Sequence, residues 1–234
     1  MIKVLLGALL LLPAAAEDKT FTVSGTETLD GPVPGAKPNK KLEGDQQCLA
    51  LHGKLPPMDT LVVDTDGGVR WAFVYIRKGL EGKEFPLPKE TVQVVQKGCL
   101  YTPHLVGARV GQPVNFVNGD PMAHNVHGIP FTNREFNYGQ PPGAESTVKF
   151  PEVEVPVKVI CNMHTWMATY VCVVDHPFFG VTDEKGKFTI KNLPPGDYAL
   201  GIWHEGLTTF DEKNEVKITV KADLSVDFKM KRKA

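Results

Sequence analysis

Apolar and polar residues alternate with a period of two along much of this chain, in short runs. The clearest case is the C-terminal one, where Val216, Ile218 and Val220 and then Leu224, Val226, Phe228 and Met230 are separated by polar neighbours. Such a period places successive side chains on opposite faces of an extended strand. Further strands are expected at Thr20–Ser24, Trp71–Arg77, Thr91–Val95, His104–Val110, Pro113–Val117, Ser146–Phe150, Val155–Cys161 and Ala168–Val174. No stretch sustains a helical period, and 22 glycines and 19 prolines punctuate the runs. Short strands between turn residues predict an all-β sandwich or barrel. The stretch from Gly31 to Leu55, rich in Pro, Gly, Lys and Asp, is expected to be a loop that wraps the surface.

From Phe178 onward the grammar becomes that of compact hairpins. Val181-Thr182-Asp183 leads through Gly186 to Phe188 and Ile190, and then through Leu193-Pro194-Pro195-Gly196 to Tyr198. This pattern resembles the transthyretin-like, carboxypeptidase regulatory-like module, which implies a small Greek-key sandwich without chemistry of its own. A domain of about 60 residues hides only about 60% of its unfolded surface, so the segment is expected to dock on what precedes it. The expected division is residues 1–16, 17–176 and 177–234.

Residues 1–16 have a different character. Lys3, an apolar run to Leu12 and the small residues Ala14-Ala15-Ala16 make up the signature of a secretory signal peptide. The run is shorter than the roughly 20 apolar residues that span a bilayer. An exported protein, periplasmic or secreted and with no membrane span, is the expectation. A net charge of −1 lacks the basic excess of a nucleic-acid binder. There is no G-x-S-x-G elbow, H-E-x-x-H pair or phosphate-binding glycine loop, so no enzyme activity is expected.

Candidate chemistry is concentrated in Cys161-Asn162-Met163-His164-Thr165-Trp166-Met167, read with Ala123-His124-Asn125-Val126-His127 upstream. One thiolate, two imidazoles and one thioether make the donor set of a blue-copper electron-transfer centre. Structural zinc sites complete themselves with Cys or His rather than Met. His124 and His127 lie three apart on one strand, so only one of them can face a given ion. If Cys161 binds metal, Cys48 and Cys99 are expected to form a disulfide, with Cys172 left as a buried thiol in a strand. Pairing of Cys161 with Cys172 is the rival arrangement, and it would remove the thiolate.

Asn118-Gly119-Asp120 followed by His124-Asn125, with the later Cys161-x2-His164-x2-Met167, resembles the blue-copper cupredoxins. The short loop and the His124-Asn125-Val126-His127 string are similar to those of amicyanins, over roughly Val106 to Val174. Along its whole length the chain is similar to secreted bacterial cupredoxin-like proteins with a regulatory-like tail, some of them labelled methylamine utilisation proteins. The resemblance implies a cupredoxin Greek-key β-sandwich followed by the small transthyretin-like one. It implies copper held by His124, Cys161 and His164 with Met167 axial, and an Asn125 backbone N–H donating to the Cys161 sulfur. The Cys48-bearing loop and the Gly98–His104 segment have no amicyanin counterpart.

Trp166 lies between two of these ligands, and an apolar patch at an exposed edge of His164 is expected to dock a redox partner protein. His52 is expected in solvent and His204 packed, while His104, His127, His176 and His204 are given no ligand role. Single-electron transfer is the function these residues imply. Copper handling or sensing in the periplasm, or a structural cell-surface sandwich without redox activity, are the alternatives.

Overall fold

The structure is a computed structural model, and it describes residues 19–208 and 215–233; the expected signal peptide lies outside these. Strands β1 (Phe21–Leu29) and β2 (Phe73–Lys78) flank a long irregular stretch that contains a 3-10 turn (Lys40–Gly44) and one short helix, α1 (Gln46–Ala50). Next come β3 (Val92–Gln96), β4 (Tyr101–Thr102), β5 (Leu105–Arg109), β6 (Pro113–Asn118) and β7 (His124–Ile129). They are followed by β8 (Phe136–Gln140), β9 (Glu145–Lys149), β10 (Glu154–Ile160) and β11 (Ala168–Val174). The remaining strands are β12 (Phe179–Val181), β13 (Lys187–Leu193), β14 (Gly196–Trp203), β15 (Val216–Val220), β16 (Leu224–Ser225) and β17 (Phe228–Met230). The fold is all-β, as the alternation predicts. The alternating run from Leu224 is split, and both of its pieces pair parallel to β1.

Two sandwiches account for these strands. One packs sheet β4-β3-β6-β9 on sheet β5-β11-β10-β7-β8 around Val94, Phe116, Val126, Val159 and Val171. The other packs sheet β12-β2-β14-β15 on β13-β1-β16, with β17 also on β1, around Val23, Val74, Ile190, Leu200 and Phe228. Strand partners therefore do not follow the expected division at residue 177. β1 and β2, which precede the first sandwich in the chain, hydrogen-bond to β13 and to β12 and β14 of the second. With β1 and β2 supplied, the C-terminal segment has enough sheet to close a core that it could not close alone.

A third apolar cluster joins the two sandwiches. β11 is buried on both faces: Val171 and Val173 point into the first core, while Tyr170, Cys172 and Val174 meet Phe73, Leu105 and Trp203 of the junction. Strand alternation explains the split, and an almost wholly apolar strand is what such a position requires. β5 lies close enough to the second sandwich that a Cβ on Gly107 would sit 2.3 Å from the Phe179 ring and 2.8 Å from Phe73. Glycine there is a packing requirement.

Candidate metal centre

The segment Cys161–Met167 is the whole connection between β10 and β11, whose last ladder pair is Ile160 with Ala168. Two backbone bonds close it, from Met167 N to His164 O at 2.9 Å and from Cys161 N to Met167 O at 3.3 Å. β7 runs alongside β10 with His127 opposite Ile160, which brings His124 to the mouth of this loop. Alternation turns His124 inward, 0% exposed, and His127 outward. The outward ring bonds Asn162 Oδ1 (3.0 Å) and Glu135 Oε1 (2.8 Å).

Three donors converge. His124 Nδ1 faces His164 Nδ1 at 2.9 Å, and Cys161 Sγ lies 3.6 Å from the latter. Ligand atoms of His124, Cys161 and His164 all lie within 4.8 Å of one another, and all three residues are buried. Met167 is buried in the same cluster as Cys161. Two imidazole nitrogens facing each other so closely need a proton or a cation between them. A thiolate, two imidazoles and a thioether are soft enough donors to fit copper. Cys161 and Cys172 are both free thiols, and Cys48 is joined to Cys99.

Electrostatics favour the ligating forms of Cys161 and His164, whereas at His124 burial pushes the ring down but Cys161 and Asp120 outweigh it and leave it above its ordinary value. Burial pushes the Cys161 thiol up, but the His124 ring and the backbone N–H groups of Asn125, His164 and Met163 outweigh it and leave the thiol below its ordinary value. The thiol also contacts Asn125 Oδ1 (3.3 Å), which accepts from Asn162 N (2.7 Å) and so ties β7 to the loop. Burial and the neighbouring His124 hold His164 below the ordinary imidazole range, against an opposing pull from Asp45. A neutral ring keeps its lone pair for a metal.

Each histidine is oriented by a carboxylate that the motif reading leaves without a role. Asp120 accepts from Gly98 N and Cys99 N at 2.7 Å each, and it bonds His124 Nε2 at 3.0 Å. Gly98 and Cys99 both have left-handed backbone, φ 64° and 53°, which aims consecutive amides at one carboxylate. Asp45 caps α1, accepting from Gln47 N and Cys48 N, and its other oxygen lies 3.5 Å from His164 Nε2. The signals were a helix cap, Asp45-x2-Cys48, and the Asn118-Gly119-Asp120 turn; neither declares its target in sequence.

The expected exposed edge of His164 is not found. His164 is 7% exposed beneath α1 and the disulfide, so the Cys48-bearing loop covers the site instead of merely wrapping the surface. Trp166 is half-buried and donates Nε1–H to Cys99 O (3.0 Å), and Met163, 52% exposed, is the loop's outward apolar residue. His52, expected in solvent, bonds Gly98 O (2.8 Å) and is half-buried. His204 is packed, with burial pushing it down to about 4. His176 is buried and accepts from Phe178 N. His104 pairs with Glu205, which also accepts from the Tyr170 hydroxyl at 2.8 Å, a link between the two sandwiches.

Among known families, the model for "Polysaccharide lyase family 4, domain II" matches residues 174–226, a minority of the chain. No curated protein matches. Among solved structures, a Cu-containing nitrite reductase from Thermus scotoductus SA-01 is similar at 20% identity and TM-score 0.35, covering 42% of this chain and 26% of that one. This chain thus spans about a quarter of the length of that reductase. A purple cupredoxin from Nitrosopumilus maritimus is similar at 24% identity and TM-score 0.32, covering 36% of this chain and 99% of its own. A mutant of amicyanin in its Cu(I) form matches at 20% identity and TM-score 0.33, covering 43% and 98%. No helix among the described residues is long and apolar enough to cross a membrane.

Proposed function

We propose that this chain is an exported type 1 copper protein that passes single electrons between protein partners and catalyses no reaction alone. The observation that carries the reading is the convergence of Cys161 Sγ with the ring nitrogens of His124 and His164 inside 4.8 Å. His124, Cys161 and His164 would hold the ion, and Met167, buried alongside, would be the weak fourth donor. Bound copper would supply a reversible one-electron couple tuned by that weak donor. The protein's own part is to keep the donors still. Asp120 and Asp45 fix the two rings, the Asn125, His164 and Met163 amides stabilise the thiolate, and two backbone bonds close the loop. Rigidity of this kind limits reorganisation when the charge on the ion changes.

Titration of the purified chain with Cu(II) tests the reading. An intense visible thiolate-to-copper band and a paramagnetic signal with small copper hyperfine splitting are expected, and both are lost in Cys161→Ser. A colourless chain, or a band that survives in that variant, would sink it. The cover over His164 favours copper handling as a second reading, since it retains an ion better than it admits a partner. Air-stable, colourless cuprous protein that surrenders copper to a chelator would favour handling.

A further inference from the structure

The Cys48–Cys99 disulfide lies against the metal centre and not at a distance from it. Its two sulfurs and a ring nitrogen of His164 lie within 4.8 Å of one another, and Cys99 Sγ has the same relation to Asp120 and His124. A third sulfur is present, since Met122 Sδ is 3.8 Å from Cys99 Sγ. Both cysteines are 0% exposed, and neither they nor Met122 has a part in the proposed electron-transfer centre. A bridged sulfur is a poor ligand, whereas two thiolates with a thioether form a soft set that suits Cu(I).

The bridge is reachable through local opening. Cys48 sits on α1, a helix of 5 residues whose only buried residue is Cys48 itself. A segment with so little apolar anchorage opens at far lower cost than the sheets around it.

We propose that the Cys48–Cys99 disulfide is a latent second metal site, unmasked by a dithiol reductant, in which the freed thiols bind a cuprous ion together with Met122. A thiolate of the reductant attacks one protein sulfur and forms a mixed disulfide, and the reductant's second thiol displaces that sulfur. Two electrons pass to the protein, which gains two thiols, and the reductant leaves as its own disulfide. Each protein thiol then loses its proton to solvent as the ion binds. The chain would thereby couple the copper it holds to the supply of thiol reductant.

The test is a Cu(I) titration of the full chain against the chromophoric chelator bicinchoninate. It compares oxidised protein with protein reduced by dithiothreitol and desalted without air. Reduction is expected to add one equivalent of bound Cu(I). The Cys48→Ser/Cys99→Ser double variant is expected to bind equally with and without reductant, and Met122→Leu to weaken the added ion. In Cys161→Ser the added equivalent should persist, so failure of the electron-carrier reading leaves this result standing, and the reverse. Unchanged stoichiometry on reduction, an added equivalent that survives in the double variant, or loss of the near-ultraviolet circular dichroism of the reduced chain would each overturn the proposal.

Discussion

Two buried carboxyls, Asp120 in the first sandwich and Glu27 in the second, sit in opposite surroundings. Around β7 and the Cys161–Met167 loop, the buried His124, His164, Asp120 and Asn125 bond one another and the backbone, and they border the apolar core without breaking it. In the sandwich of β1, β2 and β12–β17, Glu27 is 0% exposed and neither carboxyl oxygen has a hydrogen-bond partner among the described residues. Burial raises that carboxyl to about 8. The first arrangement organises a site; the second is a stability liability with a definite pH signature. A polar group in a core has the effect its partners allow.

The largest expected effect comes from breaking the first arrangement. Asp120→Ala leaves Gly98 N, Cys99 N and the His124 ring without their acceptor, at a cost of about 5 kcal/mol if each orphaned donor costs about 1–3. It should also weaken copper binding by about 10- to 100-fold, read by chelator competition. An unaltered affinity would mean that Asp120 does not orient the ligand ring. Next is Phe73→Ala, which empties the junction between the sandwiches at about 3–5 kcal/mol. Urea unfolding followed by fluorescence and circular dichroism should then split into separate steps. A single transition at the original midpoint would show that the sandwiches are not coupled there.

Glu27 sharpens the contrast through pH. An unfolded carboxyl titrates near 4.5, whereas the folded one keeps its proton to about 8. The folded state therefore binds the extra proton across that window, and stability should fall by on the order of 3–4 kcal/mol as pH rises from 5 to 8. Glu27→Gln, which cannot ionise, should flatten the urea midpoint over the same range, and an equal slope in the variant would contradict the assignment. The smallest effect is expected from Asp45→Asn. It keeps a capping oxygen for α1, so stability should change by less than about 1 kcal/mol. It removes the negative charge beside His164 Nε2, so the ring should titrate lower by nuclear magnetic resonance of the metal-free chain.

What could be read from the sequence was mainly local, the Cys48–Cys99 pairing being a long-range exception that follows from the other cysteines' roles. Cys161, His164 and Met167 share one short connection, so their spacing alone announces a donor set, and strand parity separates His124 from His127. Alternation at Val216–Val220 shows a strand with one buried face, but period two says nothing about which strand lies alongside. β1 and β2 could therefore be assigned to the wrong sandwich. β8 was missed because its inward positions include Gln140, a polar residue buried to bond Phe116 O and Ser146 Oγ. α1 was missed because 5 residues with one buried position have no detectable period. Its covering of His164 depends on a disulfide spanning 51 positions and on one carboxylate, and neither leaves a periodic trace.

The pairing of β2 with β12, Tyr75 opposite Phe179 and Phe73 opposite Val181, means that the chain departs for the first sandwich and returns from it at neighbouring points of one sheet. The strands of the first sandwich are thus a guest spliced into a single gap of their host, and the β1–β2 connection adds α1 and Cys48 as a cover from a second one. Joining Lys78 to Phe179 by a tight turn would leave the host a continuous hairpin at that gap. Cutting the chain once, after residue 176, would instead orphan β1 and β2 and strip the outer face of β11, yielding two incomplete pieces in place of two proteins.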